Sequence, residues 1–247
     1  MNPDLDLALE LAAIAADIAA PRFADRDFTV TTKPDGSPVT TVDQAVERAL
    51  RDRLAERRPD HAILGEEYGR SGDSEWCWYL DPIDGTSDFV SGDPDWMTFV
   101  ALGRGSDITV AVIGVPARSE RWWAARGDGA FRDGEPMAVS RTERLTDAIV
   151  NDDWLSDDAC GAPLTAVARH ASAVRSWEGR GLLSVAAGVA DIALAAGGHA
   201  WDYAAAKLIV EEAGGRFSDR RGRERIDAGD AVATNGLLHQ GVLDLFR

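Results

Sequence analysis

The chain has 247 residues, 45% of them hydrophobic and 28% charged, with a formal charge of −16 at pH 7. This is an ordinary globular composition, long enough for one large domain or two small ones around a sizeable core. The acidic balance argues against nucleic acid and anionic membrane surfaces, since no basic patch meets a line of phosphates; a small anionic substrate stays open if a cation bridges it to the acid.

The first twenty residues are apolar but carry Asp4, Asp6, Glu10 and Asp17. With no basic leader and no unbroken apolar stretch they are not expected to be a signal peptide. No apolar run is long enough to span a membrane. Cys77 and Cys160 lack CxxC spacing and read as buried or incidental thiols of a reducing compartment, with the cytoplasm as the default location.

Leu5, Leu9, Ala12, Ala13, Ala16 and Ala20 keep helical spacing up to Pro21, so residues 4–20 read as a first helix. Phe28 to Thr32 is β-like, and Lys33-Pro34-Asp35-Gly36-Ser37-Pro38 is a loop. A second helix covers 42–57, with Val42, Val46, Ala49, Leu50 and Leu54 on its apolar face. His61 to Leu64 is a short strand that stops at Gly65-Glu66-Glu67-Tyr68-Gly69.

The strand-forming Trp78-Tyr79-Leu80 ends the same way, in Asp81-Pro82-Ile83-Asp84-Gly85-Thr86-Ser87. Proline is expected to stop the ladder, leaving Asp81 and Asp84 on a turn. Adjacent strands finishing in acid bring Glu66 beside Asp81. Carboxylates this close repel unless a cation lies between them, which points to a hard divalent ion with oxygen ligands. Backbone N–H groups at Gly85, Thr86 and Ser87 open a helix whose positive end holds an anion. A metal and an anion at one turn suggest phosphate chemistry. Asp-Pro and Asp-Gly are also ordinary turn dipeptides, Glu-Glu is often solvated surface, and Asp202 opening a helix is often an N-cap, so these segments alone leave the structural reading standing.

Residues 97–125 read as an antiparallel meander, and Gly127-Asp128-Gly129 and Asp133-Gly134 as hairpin turns. From 141 onward the pattern alternates: strand 147–151, helix 162–171, a helical run 182–190, strand 191–195, helix 202–213, strand 231–234 and helix 236–246. This places the chain in the α/β class. The division falls near 140, into an N-terminal half (1–140) carrying most of the acidic site and a C-terminal half (141–247) carrying Asp202, packed as one compact unit.

Four pieces in order carry a resemblance: Asp43 after Thr40-Thr41-Val42, Gly65-Glu66-Glu67, Asp81-Pro82-Ile83-Asp84-Gly85-Thr86, and Trp201-Asp202 leading to Glu212-Ala213-Gly214-Gly215. Together they resemble the inositol monophosphatase superfamily of Mg²⁺-dependent, lithium-sensitive phosphatases, over about residues 5–245. The resemblance implies a layered α/β/α/β/α sandwich, usually a homodimer. It implies two or three Mg²⁺ per site on Glu66, Asp81, Asp84 and Asp202, with the Ile83 carbonyl and Thr86 hydroxyl as further ligands. Asp43, Thr86 and Glu66 would be catalytic, Asp43 and Thr86 orienting the attacking water; Gly85, Thr86 and Ser87 would cradle the phosphate, Lys33 would sit on a mobile loop that closes the site, and Lys33 and Asp84 would be among the substrate contacts. Metal ions would neutralise the phosphate, activate water without a histidine base and stabilise the leaving alkoxide. The histidines and cysteines show no spacing for a competing mechanism.

Within the superfamily the likeness is to the histidinol-phosphate phosphatase branch, on Thr32-Lys33-Pro34-Asp35, Leu64-Gly65-Glu66-Glu67-Tyr68-Gly69, Arg121 to Gly127 and Ala231 to Gly236. The departures fall where substrates are chosen. Ala195 stands where relatives place a Glu that touches the substrate, and Ser87-Asp88-Phe89 replaces the usual x-Asn-Phe. The match is poor around Trp177-Glu178-Gly179-Arg180-Gly181, where Glu178 is the candidate contact. Asp88, Asp93 and Asp95 are either replacement polar contacts or a solvated rim. The reading is a Mg²⁺-dependent phosphomonoesterase of the histidinol-phosphate kind. Its alternatives are an inositol-, sugar-, aminosugar- or cyclitol-phosphate phosphatase and, more remotely, a non-catalytic metal-binding relative.

Overall fold

The structure is a computed structural model that describes residues 2–153 and 161–247. Cys160 lies outside them. Contacts divide the chain into two compact units, 1–123 and 124–247. Among the described residues no helix is long and apolar enough to cross a membrane.

The first unit opens with α1 (Pro3–Asp25), capped by the Asn2 side chain, which accepts from the amides of Asp4 and Leu5 at 3.1 and 3.3 Å. The expected stop at residue 20 is wrong: the helix runs through Pro21 for another turn before Arg26 ends it with φ 56°. Tertiary packing holds that turn, with the Phe23 ring 5.3 Å from Phe89 and 5.6 Å from Trp96 and the Arg26 guanidinium donating to the Phe89 and Val90 carbonyls. A hairpin, β1 (Val30–Thr32) with β2 (Pro38–Thr40), then carries the Lys33 loop at its tip and leads into α2 (Thr41–Arg57).

The unit's strands are β3 (Ala62–Gly65), β4 (Gly69–Ser71), β5 (Cys77–Asp84), β6 (Met97–Arg104), β7 (Asp107–Val115) and β8 (Glu120–Ala125), with the short α3 (Thr86–Ser91) after β5. They neighbour one another in the order β4-β3-β5-β6-β7-β8. β3 and β5 run parallel, while β5–β6 and β6–β7 are antiparallel, the latter being the expected meander. Leu7 and Leu11 of α1 and Val46, Leu50 and Leu54 of α2 pack with Trp78, Leu80, Val100, Val110 and Val112 in one core. Each such buried side chain is worth about 1.5–3 kcal/mol.

In the second unit β9 (Gly129–Arg132) and β10 (Glu135–Pro136) form a hairpin across Asp133 (φ 50°) and Gly134 (φ 91°), the left-handed pair that a two-residue turn of this twist requires. The remaining elements are β11 (Ile149–Asn151), α4 (Gly161–Ala168), β12 (Ala173–Arg175), α5 (Leu183–Ala186), β13 (Ile192–Ala196), α6 (Ala200–Glu212), β14 (Arg216–Ser218), β15 (Asp230–Thr234) and α7 (His239–Asp244). The strands lie in the order β12-β11-β13-β15-β14. The helical run expected over 182–190 shrinks to α5, because Gly188 turns the chain with φ 68° at a point where a Cβ would lie 2.9 Å from the Ala138 carbonyl oxygen. The last helix starts three residues later than expected, since Asn235 and Gly236 form a turn in which Asn235 Oδ1 accepts from Leu238 N at 3.2 Å.

Candidate active site

Three candidate acids of the first unit, Glu66, Asp81 and Asp84, lie at the ends of two neighbouring strands. Gly65 of β3 is paired in register with Leu80 of β5, and Glu66 N donates to the Leu80 carbonyl at 3.2 Å. The next residue on each strand is an acid, Glu66 and Asp81. Contrary to expectation, β5 does not stop at Pro82. It continues to Asp84 through a register shift against β6, Asp81 facing Phe99 and Asp84 facing Met97. A bulge absorbs the residue that proline would otherwise break, and the Pro82 carbonyl accepts from Thr98 Oγ1 at 2.8 Å. Asp81 is 2% exposed and Asp84 half-buried.

Gly85 then turns the chain with φ 78° and ψ 44° into α3, whose start carries no side-chain cap. Thr86, the first residue of α3, is buried, and Ser87 and Asp88 are exposed. The Thr86 hydroxyl lies 3.1 Å from Asp43 Oδ1 and 3.1 Å from the Ile83 carbonyl oxygen. One hydroxyl proton serves one acceptor at a time. When it goes to Asp43, the Thr86 lone pairs and the Ile83 carbonyl stand side by side as oxygen donors.

Asp43 is held at the first turn of α2 by a capping box with Thr40. The Thr40 amide donates to its Oδ2 at 2.9 Å and the Thr40 hydroxyl donates to the same oxygen. Burial pushes its carboxyl up, against the bonds from Thr40 and Thr86. The Thr40-x-x-Asp43 spacing was the legible signal for this arrangement.

Lys33 reaches across from the hairpin tip, with Nζ 2.6 Å from Glu66 Oε1 and 2.8 Å from Glu67 Oε1. Burial alone would lower its ammonium pKa, but hydrogen bonds and charge from the two carboxylates outweigh it and leave it raised. Burial pushes the Glu67 carboxyl up to about 7, the Lys33 bond working against it and the Glu66 charge with it. The first-unit residues fit a hard divalent ion. The donors are all oxygen, one carboxylate is almost wholly buried, and a cationic ammonium is seated on Glu66. Asp88, beside the acidic loop, is pushed up by partial desolvation and by the charges of Asp93 and Asp95, while Arg118 grips both Asp95 oxygens at 2.7 and 2.9 Å.

The other candidates belong to the second unit. Asp202 is the third residue of α6, where its Oδ2 accepts from the His199 amide at 2.6 Å in a capping box. Ala195 is buried on β13 opposite Ala231 of β15. Glu178 is exposed, with φ 51°, and its carbonyl accepts from Arg180 at 2.6 Å. Sequence reasoning passed over Asp153, which fixes the Glu178 segment: it accepts from the Trp177 amide at 3.0 Å, the Gly181 amide at 3.3 Å and the Ser176 hydroxyl. The Asn151-Asp152-Asp153 run at the end of β11 was its sole sequence signal. Glu47, also unremarked, lies fully buried one helical turn beyond Asp43.

Comparison with known proteins agrees with this geometry. A model described as the inositol monophosphatase family matches residues 1–247. The chain is 41% identical over 254 residues to a histidinol-phosphatase of Mycobacterium tuberculosis, covering 98% of this chain and 97% of that one. It is 40% identical over 251 residues to a Streptomyces griseus protein named glucose-1-phosphate thymidylyltransferase, with 96% of each covered. The solved extragenic suppressor protein suhB of Bartonella henselae superposes with a TM-score of 0.87 at 26% identity, covering 100% of this chain and 99% of that one. The class is thus that of phosphoric monoester hydrolases built on a metal-dependent α/β fold. The chain belongs to the inositol monophosphatase family.

Proposed function

We propose that the protein is a Mg²⁺-dependent phosphatase of a small phosphate monoester, with histidinol phosphate as its substrate. The observation that carries the reading is the Thr86 hydroxyl set 3.1 Å from both Asp43 Oδ1 and the Ile83 carbonyl, beside the buried acid of β5. Glu66, Asp81, Asp84, the Ile83 carbonyl and the Thr86 hydroxyl would hold the ions, with Asp202 added from the second unit on the strength of its Trp201-Asp202 motif. Bound Mg²⁺, two or three ions per site, would neutralise the phosphoryl oxygens and make water a nucleophile near neutral pH.

Asp43 has one oxygen committed to the Thr40 cap and the other to Thr86. That fixes the hydroxyl's direction, and the pair takes up the proton of the attacking water and sets its line of approach. The amides of Gly85, Thr86 and Ser87 receive the phosphate oxygens at the start of α3. Lys33, on its hairpin tip, lends positive charge to the substrate side. The charge of −16 favours a soluble small ester over nucleic acid or a membrane, and the same reading takes the protein as a cytoplasmic homodimer.

Histidinol phosphate is supported by the name of the Mycobacterium tuberculosis relative at 41% identity. A sugar phosphate is the second reading. Ala195 removes a carboxylate at the position where relatives contact the substrate, and the Streptomyces griseus relative at 40% identity carries a sugar phosphate in its name. Losing such a hydrogen-bonding partner shifts discrimination by roughly 1–3 kcal/mol.

The test is phosphate release with Mg²⁺ over histidinol phosphate, inositol 1-phosphate, fructose 1,6-bisphosphate and a set of sugar and aminosugar phosphates, with Asp84→Asn as the blank. A kcat/KM for histidinol phosphate well above all others is expected. Preference for a sugar phosphate would install the second reading, and silence across the panel would leave a non-catalytic metal binder.

A further inference from the structure

A buried carboxylate that the reaction does not use lies directly beneath the Gly65-Glu66-Glu67-Tyr68 turn. Glu47, on α2, is 0% exposed. Its Oε2 accepts from the Glu67 amide at 2.6 Å and its Oε1 from the Tyr68 amide at 3.2 Å. Arg51, one turn further along α2, donates from Nε to Glu47 Oε1 at 2.7 Å, then to the Gly69 carbonyl and to Ser71 Oγ at 2.9 Å. Gly65 is a glycine because of this contact, since a Cβ there would lie 2.1 Å from Glu47 Oε1. Tyr68 adds to the same lock, its hydroxyl taking a bond from Arg48 at 2.8 Å and giving one to the Gln44 carbonyl at 3.2 Å.

We infer that Glu47 is a positioning residue for metal binding: through the amides of Glu67 and Tyr68 it fixes the turn that aims the Glu66 carboxylate. The inference rests on the reading of Glu66 as a metal ligand. It assigns a role to a charge that stability alone does not explain, because a buried ion pair is on balance weakly stabilising or costly against an apolar replacement. It also makes α2 a common ruler. Asp43 and Glu47 are four residues apart, so the water-orienting acid and the anchor of the metal-ligand turn project from one rigid helix face.

Two variants test it. Glu47→Gln keeps the shape but turns an N–H₂ towards donors that need an acceptor. Gly65→Ala leaves every charge in place and drives a methyl group into Glu47 Oε1. Mn²⁺ binding without substrate is measured by electron paramagnetic resonance on samples shown by circular dichroism to be folded, and the Mg²⁺ dependence of kcat is measured alongside. Both variants should bind Mn²⁺ about 10–100-fold more weakly, the usual effect of losing an outer-sphere partner. Saturating Mg²⁺ should restore most of kcat, as a misplaced ligand permits and a lost catalytic group does not. Folded variants that bind Mn²⁺ within about twofold of the parent, with only a lower melting temperature, would overturn the inference and leave Glu47 a packing residue. A parent protein that neither hydrolyses the panel nor binds Mn²⁺ would instead remove the phosphatase reading itself.

Discussion

At the scale of single residues one candidate acid carries more than one contact. Asp43 is at once the N3 residue of a helix cap and the partner of Thr86, with a separate oxygen for each. Asp43→Asn therefore separates the roles. The amide oxygen still accepts from Thr40, so stability should change by no more than about 1 kcal/mol. Proton uptake from water is lost, and kcat should fall about 10²–10⁴-fold with metal affinity nearly unchanged, as steady-state kinetics and Mn²⁺ titration would reveal. A parallel loss of metal binding would mean that Asp43 acts on the ions. The candidate site acids were legible in the sequence through the ordered set of motifs at two strand ends, Gly65-Glu66-Glu67 and Asp81-Pro82-Ile83-Asp84-Gly85-Thr86, since either turn alone is an ordinary one. Glu47 and Asp153 were not, because an acid among many on an acidic chain gives no sign that it faces backbone amides until the chain has folded.

Between elements, short strands and helix ends escaped the sequence for a shared reason. β4, β12 and β14 are three residues long, too short for a period of two to register, and each is identified by its partner's register. Pro21 misled in the opposite sense, since contacts of Phe23 and Arg26 with residues more than sixty positions away outvote a local breaker. The junction of α7 with β14 and β15 supplies a further case, and a prediction. His239 is 0% exposed, its Nε2 2.9 Å from Ser218 Oγ and its Nδ1 3.0 Å from Thr234 Oγ1. The Ser218 hydroxyl donates to the Asp219 carbonyl at 2.7 Å, so it accepts from Nε2–H, and in the neutral ring Nδ1 then accepts from the Thr234 hydroxyl. Burial, with the Arg216 charge, pushes the pKa down to about 4.

The folded state therefore binds fewer protons than the unfolded chain between pH 6.5 and pH 4, and the stability present above that window is lost as pH falls through it. The shift from 6.5 to about 4 amounts to about 3 kcal/mol. Glu67, raised by burial to about 7, runs the other way between its ordinary value and 7, so the parent's own pH profile is flattened. Urea midpoints of parent and His239→Gln compared from pH 4 to 7 isolate the histidine. The difference should shrink steadily towards pH 4, and a constant difference would contradict a neutral buried ring.

For the whole molecule the governing quantity is the charge of −16, which strains any compact state by self-repulsion and gathers cations diffusely around it. Divalent ions would therefore stabilise this protein in two separable ways. Screening acts on the total charge, saturates slowly and is matched by a monovalent salt of equal ionic strength. Binding at the proposed ligands, the buried Asp81 and the half-buried Glu66 and Asp84, would act on a few oxygens and follow a saturation curve. At about a hundredfold excess over its dissociation constant, Mg²⁺ should add about 2.7 kcal/mol, a rise in melting temperature of roughly 5–10 °C for a chain of this length. The measurement is a thermal melt after chelation, then with Mg²⁺ titrated at constant ionic strength, in parent and Asp84→Asn. The parent should gain the increment and the variant should lose most of it, while the common rise with potassium chloride stays the same in both. Equal gains would mean that the whole effect is screening and that the acids at the strand ends are surface charge. An increment confined to the parent would mean that a chain this acidic relieves its own repulsion at the place where its substrate's charge must also be met, so that the cation supports folding and substrate binding at one site.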